Sequence, residues 1–209
     1  MKKKSVSEPV TDTDFLRIIH LLQWSTTNQL MSYIGYNKRS ILRRIHKLEP
    51  YLHIVTDLHR YLFALNEHGG AVISASPEVV PDRDAIYQVL VRNDIWAWFR
   101  YPDWHWQTAL FPSTKREPLV PDTYWYQGKQ LYIVEMDTGS NMQAILARMR
   151  RYRGLVKWSE TQSKPAPLVY YFTPDKARSV SKKPWVKPAR GYNACTISKK
   201  EVTRYDKRI

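Results

Sequence analysis

The sequence predicts an α+β chain in two parts. Three helices closed by a β-hairpin come first. An α/β half follows, reading helix, three strands, helix, strand. Three observations carry this. Apolar residues recur at helical spacing three times before residue 50. Two short β-prone runs come directly after them. From Trp104 on, aromatic and β-branched runs surround one long helical pattern. With 209 residues, 43% hydrophobic and 13% aromatic, the chain can bury a real core, which excludes global disorder.

The first helix starts at Thr11-Asp12-Thr13-Asp14, with acids where a helix N-terminus favours them, and its stripe is Phe15, Ile18, Ile19 and Leu22. Ser25-Thr26-Thr27 starts a second, with Leu30, Met31 and Ile34, and Gly35 ends it. Asn37 can cap a third, whose apolar positions are Ile41, Leu42, Ile45 and Leu48; Pro50 closes it. Leu52 to Val55 and Tyr61 to Leu65 read as a hairpin around Thr56-Asp57-Leu58-His59-Arg60. This is the element order of a winged helix-turn-helix, expected over residues 11–68 after a flexible basic arm at 1–10. A linker is expected over 69–82, marked by Ser76-Pro77 and Pro81-Asp82.

The second domain is expected over 83–198. A helix from Asp84 to about Arg100 carries Ile86, Leu90, Val91, Ile95 and Phe99. Strands are read at Trp104–Phe111, Thr123–Tyr126 and Leu131–Asp137, the last two joined by Gln127-Gly128-Lys129-Gln130. Thr138 to Asn141 form a turn. A helix then runs to about Trp158, with Met142, Ile145, Met149, Tyr152 and Val156 on one face. Leu168 to Phe172 read as a buried strand, 176–190 as loop, Tyr192 to Ile197 as a last strand, and 199–209 as a basic tail.

The formal net charge is +14, unevenly spread. Residues 1–75 carry +4, 76–140 carry −3 and 141–209 carry +13. Such a surface attracts polyanions, and double-stranded DNA is the expected partner. In a winged helix-turn-helix the third helix enters the major groove. Lys38 and Arg39 stand at its N-terminal end, where base edges are reached, Arg43 and Lys47 suit phosphates, and Ser40 and Arg44 are further DNA-binding candidates. Arg60 in the hairpin loop suits the backbone or minor groove. Arg150, Arg151 and Arg153 of the later helix add backbone affinity. The competing reading is a winged helix that dimerises and merely exposes a basic face.

No apolar run approaches the roughly eighteen residues of a membrane span, and no secretory leader is expected, so a cytoplasmic location without membrane contact is expected. Cys195 is the only cysteine, which leaves no intrachain disulfide. The six His show no metal-ligand spacing, and seven Gly form no phosphate loop. Tyr192 and Tyr205 have the chemistry of nucleophiles but no supporting neighbours. The eight Trp suit a core or dimer interface, or stacking on unpaired bases.

One constellation in the second half carries chemistry. Strand alternation places Leu131, Ile133, Glu135 and Asp137 on one face, and Asp122 opens the partner strand. Three carboxylates so placed can converge on Mg²⁺ or Mn²⁺, which would activate water at a phosphate. The competing reading makes Asp122 a turn residue after Pro121 and pairs Glu135 and Asp137 with Arg148 or Arg151. The arrangement resembles the PD-(D/E)XK, restriction-endonuclease-like nucleases. That resemblance makes Asp122 the first acid and Glu135 the second. Asp137 stands where the family places its Lys. Arg148, the nearest cation on the next helix, cannot act as a base. The resemblance leaves a metal-dependent nickase open, with Asp122, Glu135, Asp137 and Arg148 as its site, and leans towards a chain that does not cleave.

The order of both halves resembles the replication-relaxation proteins of plasmids and integrative elements. The residues that carry it are Tyr61-Leu62-Phe63-Ala64-Leu65 to Gly69, Val91-Arg92-Asn93-Asp94, Pro121-Asp122, Val134-Glu135-Met136-Asp137-Thr138-Gly139 and Arg148-Met149-Arg150-Arg151-Tyr152. The resemblance covers residues 12 to 172 and makes Asp137 an expected family feature. It implies action in plasmid replication, DNA relaxation or conjugative transfer, beside other replication or transfer proteins and with a homodimer as one possible assembly. A third reading is a winged-helix transcription regulator whose nuclease-like domain only dimerises.

Overall fold

The computed structural model describes residues 9–57, 60–78, 80, 82–110, 119–137 and 161–173. It also describes Gln143, Ala147, Arg151, Tyr152, Leu155, Val156 and Ser159, and the backbone of 186–189 and 192–197. The chain is a mixed α+β protein with two sheets, in two compact units, Met1–Tyr101 and Pro102–Ile209. Among the described residues no helix is long and apolar enough to cross a membrane.

The first unit opens with α1, Asp12–Leu22. Its N-terminus is closed by a reciprocal capping box: the Thr11 hydroxyl accepts from the Asp14 amide at 3.1 Å, and the Thr11 amide donates back to the Asp14 carboxylate at 3.3 Å. Phe15, Leu16, Ile18, Ile19 and Leu22 are buried. The helix start expected at Ser25-Thr26-Thr27 does two jobs. Ser25–Thr26 form a short strand, β1, and Thr26 also caps α2, Thr27–Ile34. Gly35 ends α2 at φ 84°, a left-handed turn that favours glycine. Asn37 then caps α3, Lys38–Leu48, by accepting from the Ser40 amide at 2.9 Å. Ile41, Ile45 and Leu48 are buried as the periodicity requires, while Leu42 is exposed.

A 3-10 turn with Pro50 leads into the hairpin of β2, Leu52–Asp57, and β3, Arg60–Leu65. Both strands extend further than expected, so Thr56, Asp57 and Arg60 are strand residues. Leu58 and His59 lie outside the described residues. The sheet order is β1-β3-β2.

The span expected to be a linker differs. Glu67–Ile73 form a helix, α4, capped by Asn66. Gly69 and Gly70 serve close approach within it. A Cβ on Gly69 would stand 2.3 Å from the Tyr51 carbonyl oxygen. The next helix, α5, Arg83–Trp98, was assigned by the sequence to the second domain, but it packs in the first unit. Ile86 and Leu90 join Trp24, Leu62 and Ala64 in one buried cluster, on the hairpin face that carries Val55. The unit therefore ends at Tyr101 and not at 82. Periodicity identified the helix but carries no information about which sheet a helix covers.

The second unit is a six-stranded mixed sheet in the order β4-β5-β6-β7-β9-β8. The strands are β4 His105–Trp106, β5 Thr123–Gln127, β6 Gln130–Met136, β7 Leu168–Thr173, β8 Val186–Ala189 and β9 Tyr192–Ile197. Only β6 and β7 run parallel, and a parallel pair requires a long crossover. Described residues of that crossover, among them Tyr152, Leu155 and Val156, are helical and buried. Among the described residues of the strand expected at 104–111, His105–Trp106 form β4, and β8 lies where loop was expected. The expected turn at 138–141, Met142, Ile145, Met149 and the tail at 199–209 lie outside the described residues.

Candidate nucleic-acid interface and acidic cluster

The basic face of α3 follows from its sequence. Ile41, Ile45 and Leu48 take the inner stripe, which turns Lys38, Arg39, Arg43 and Lys47 outward. Lys38, Arg39 and Arg43 are exposed and make no ion pair among the described residues. Ser40 is half-buried one turn inside the cap. Beside them lies a groove of about 630 Å³ lined by Asp12, Gly35, Tyr36, Asn37, Ser40, Arg43, Arg44 and Lys47.

Arg44 departs from the expectation that it faces DNA. Its guanidinium turns back onto the start of α1. It donates to the Val10 carbonyl and, at 3.1 Å, to the Thr11 carbonyl. Its Nε stands 3.6 Å from Asp12, and its Cζ lies 5.8 Å from the Phe15 ring centre. Adjacent residues on a helix diverge by about 100°, so Arg43 faces solvent where Arg44 fastens α1 to α3. Lys47 is paired to Asp12 at 2.5 Å but stays 69% exposed. Arg60 lies in β3, bound to Asp57 at 3.7 Å; Asp57 also holds Arg83 at 2.7 Å.

A buried polar knot positions α5 against α1, β1 and α2. Arg92 donates to the Leu22 carbonyl at 2.7 Å and to Gln23 Oε1 at 2.6 Å. Asn93 donates to the carbonyls of Leu22 and Trp24 at 2.9 and 2.8 Å. Gln29 donates to the Leu90 carbonyl and to Asp94 at 2.7 and 2.8 Å. Burial pushes the Arg92 guanidinium down to about 10, and the charge of Glu78 opposes that. Burial likewise raises Asp94, against the Gln29 hydrogen bond and the charge of Arg60. The Val91-Arg92-Asn93-Asp94 step, noted in the sequence only as a family likeness, thus closes open carbonyls at the end of α1. A polar step inside an otherwise apolar helix was the signal available.

In the second unit Glu135 lies in β6 and Asp137 directly follows that strand. Glu135 and Asp137 are 1% and 0% exposed. Asp122 lies one residue beyond the Thr123–Val134 pair, across from Glu135. Its Oδ2 accepts from the Met136 amide at 2.6 Å, which ties the start of β5 to the end of β6. Glu135 Oε1 accepts from the Tyr152 hydroxyl of the crossover helix. The Asp137 amide donates to the Phe172 carbonyl at 2.7 Å. Among the described residues no three His, Cys, Asp or Glu side chains form a group able to hold a metal ion. One oxygen each of Asp122 and Glu135 accepts a protein hydrogen bond. Arg151 is exposed; Arg148, Arg150 and Arg153 lie outside the described residues.

The tryptophans divide. Trp24, Trp96 and Trp125 are buried, and Trp98 is exposed. Trp125 stacks on Tyr132 across the β5–β6 pair with ring centres 4.9 Å apart, and Tyr132 stacks on Tyr170 at 6.5 Å. Those rings face one another along the sheet.

These features define a two-unit α+β protein, with an exposed basic helix in one unit and buried acids in the sheet of the other. A family model described as replication-relaxation matches residues 16–169, from α1 into β7, and the chain belongs to the replication-relaxation family. Membership points to a role in the replication or relaxation of a plasmid or mobile element. No curated protein and no solved structure matches the chain.

Proposed function

We propose that the first unit is a winged helix-turn-helix that binds duplex DNA, and that the protein acts at a replication or transfer origin of a plasmid or mobile element. The observation that carries this is the outer face of α3, where Lys38, Arg39 and Arg43 stand exposed and without ion-pair partners among the described residues. The Gly35 turn between α2 and α3 and the β1-β3-β2 sheet support the same reading. Lys38, Arg39 and Ser40 reach base edges from the helix N-terminus; Arg43 and Lys47 meet phosphates. Arg151 and its basic neighbours in sequence add backbone affinity.

The second unit is read as a restriction-endonuclease-like scaffold. Its acids hold the sheet and the crossover helix together, so the protein binds without cutting. Supercoiled plasmid carrying the candidate origin, incubated with the full chain and Mg²⁺ or Mn²⁺, tests both parts. A retarded plasmid that stays supercoiled is the expected result. Nicking that is lost in Glu135→Ala/Asp137→Ala and with a chelator would establish a metal-dependent nickase in its place. Binding only at a promoter, with no effect at an origin, would favour a transcription regulator.

A further inference from the structure

The groove beside α3 contains one anion of the protein's own. Asp12, the first residue of α1, lines it, with Oδ2 at 2.5 Å from Lys47 Nζ and Oδ1 at 3.6 Å from Arg44 Nε. Capping does not explain that position. The N-terminus of α1 is already closed by Thr11 and Asp14, and the Asp12 side chain takes no part in the box.

We propose that this groove binds one backbone phosphate of duplex DNA, and that Asp12 occupies the phosphate's place on Lys47 in the free protein. The inference rests on the reading of α3 as the DNA-facing helix. A carboxylate and a phosphodiester present similar paired oxygens to an ammonium group, so the intramolecular anion marks where an external one is held. The walls suit the exchange. Arg44 is fixed on the Val10 and Thr11 carbonyls, which leaves the anion to Lys47 and Arg43. Arg43, which also lines the groove, has no ion pair among the described residues. Lys47 is 69% exposed on a flexible stem, and an exposed pair of this kind costs little to break.

Asp12 therefore sets how tightly the protein holds DNA, and it does so through Lys47. The test is a double-mutant cycle in the full chain, read by anisotropy of a labelled mixed-sequence duplex. Asp12→Asn should tighten binding by about two- to five-fold, the range of an exposed ion pair. Lys47→Met should weaken it. In the Lys47→Met background most of the Asp12→Asn gain should vanish. An undiminished gain in that background would mean general charge repulsion and would overturn the exchange, as would no gain at all. Asp12→Ser, also suited to a helix start, repeats the cycle should Asn disturb α1. If the native chain binds no duplex at any salt, the DNA-facing reading of α3 falls with it; native binding with additive variants removes the exchange alone.

Discussion

Arg43 and Arg44 are neighbours in sequence and carry the same charge, yet their replacement should have opposite consequences. Arg43→Ala removes an exposed cation without an ion pair among the described residues. Each phosphate contact adds about 0.9 to the slope of log affinity against log salt. The loss of one should flatten the slope by about that amount and weaken binding about five-fold at 0.15 M salt, alike for all sequences. Its thermal midpoint should not move. Arg44→Ala removes charged hydrogen bonds to two carbonyls and a pair with Asp12. Charge-assisted bonds contribute about 1.5–3 kcal/mol, and partial exposure places this loss near ~2 kcal/mol, or roughly 4–8 °C in midpoint. Its salt slope should stay native. Anisotropy titrations over a salt series, with calorimetry of each variant, separate the two. Equal slope changes from both variants would refute the division of α3 into a DNA face and an α1 face.

Three further outcomes follow from the packing. Asn93→Ala strips partners from the buried Leu22 and Trp24 carbonyls and should cost about 2–4 kcal/mol in urea unfolding, with a native-like loss taken as refutation. Gly69→Ala drives a Cβ to within 2.3 Å of backbone and should destabilise by about 1–3 kcal/mol; an unchanged urea midpoint would show that α4 shifts freely. Burial raises Asp94 above its ordinary 3.8, so the unfolded chain loses that proton first as pH rises. Stability from this group is therefore fully present below pH 3.8 and falls as pH climbs through the raised folded value. Asp94→Asn should be more stable than native protein at neutral pH, by a margin that shrinks towards acid; a margin constant with pH would remove the linkage.

The sequence by itself determined α1 to α3, their caps and the hairpin, because each is set by local spacing: Asn37 before a 3.6-residue stripe, Gly35 where φ must be positive. It also placed Glu135 on the strand that follows the Gln127–Gln130 turn, which needs only a β-prone run after a turn signal. Tertiary structure decided what periodicity does not encode. The sequence ended the first unit at 82, but α5 belongs to it, because Arg92 and Asn93 close carbonyls some seventy residues earlier. It counted Arg44 among the DNA-facing cations, though the helix turns that side chain onto Val10 and Thr11. It gave Asp12 a place in a helix cap, and the fold set it against Lys47. Local order follows from neighbours along the chain. The partner of a long charged side chain is chosen only when distant segments pack, and that choice decides which cations of α3 remain available to DNA.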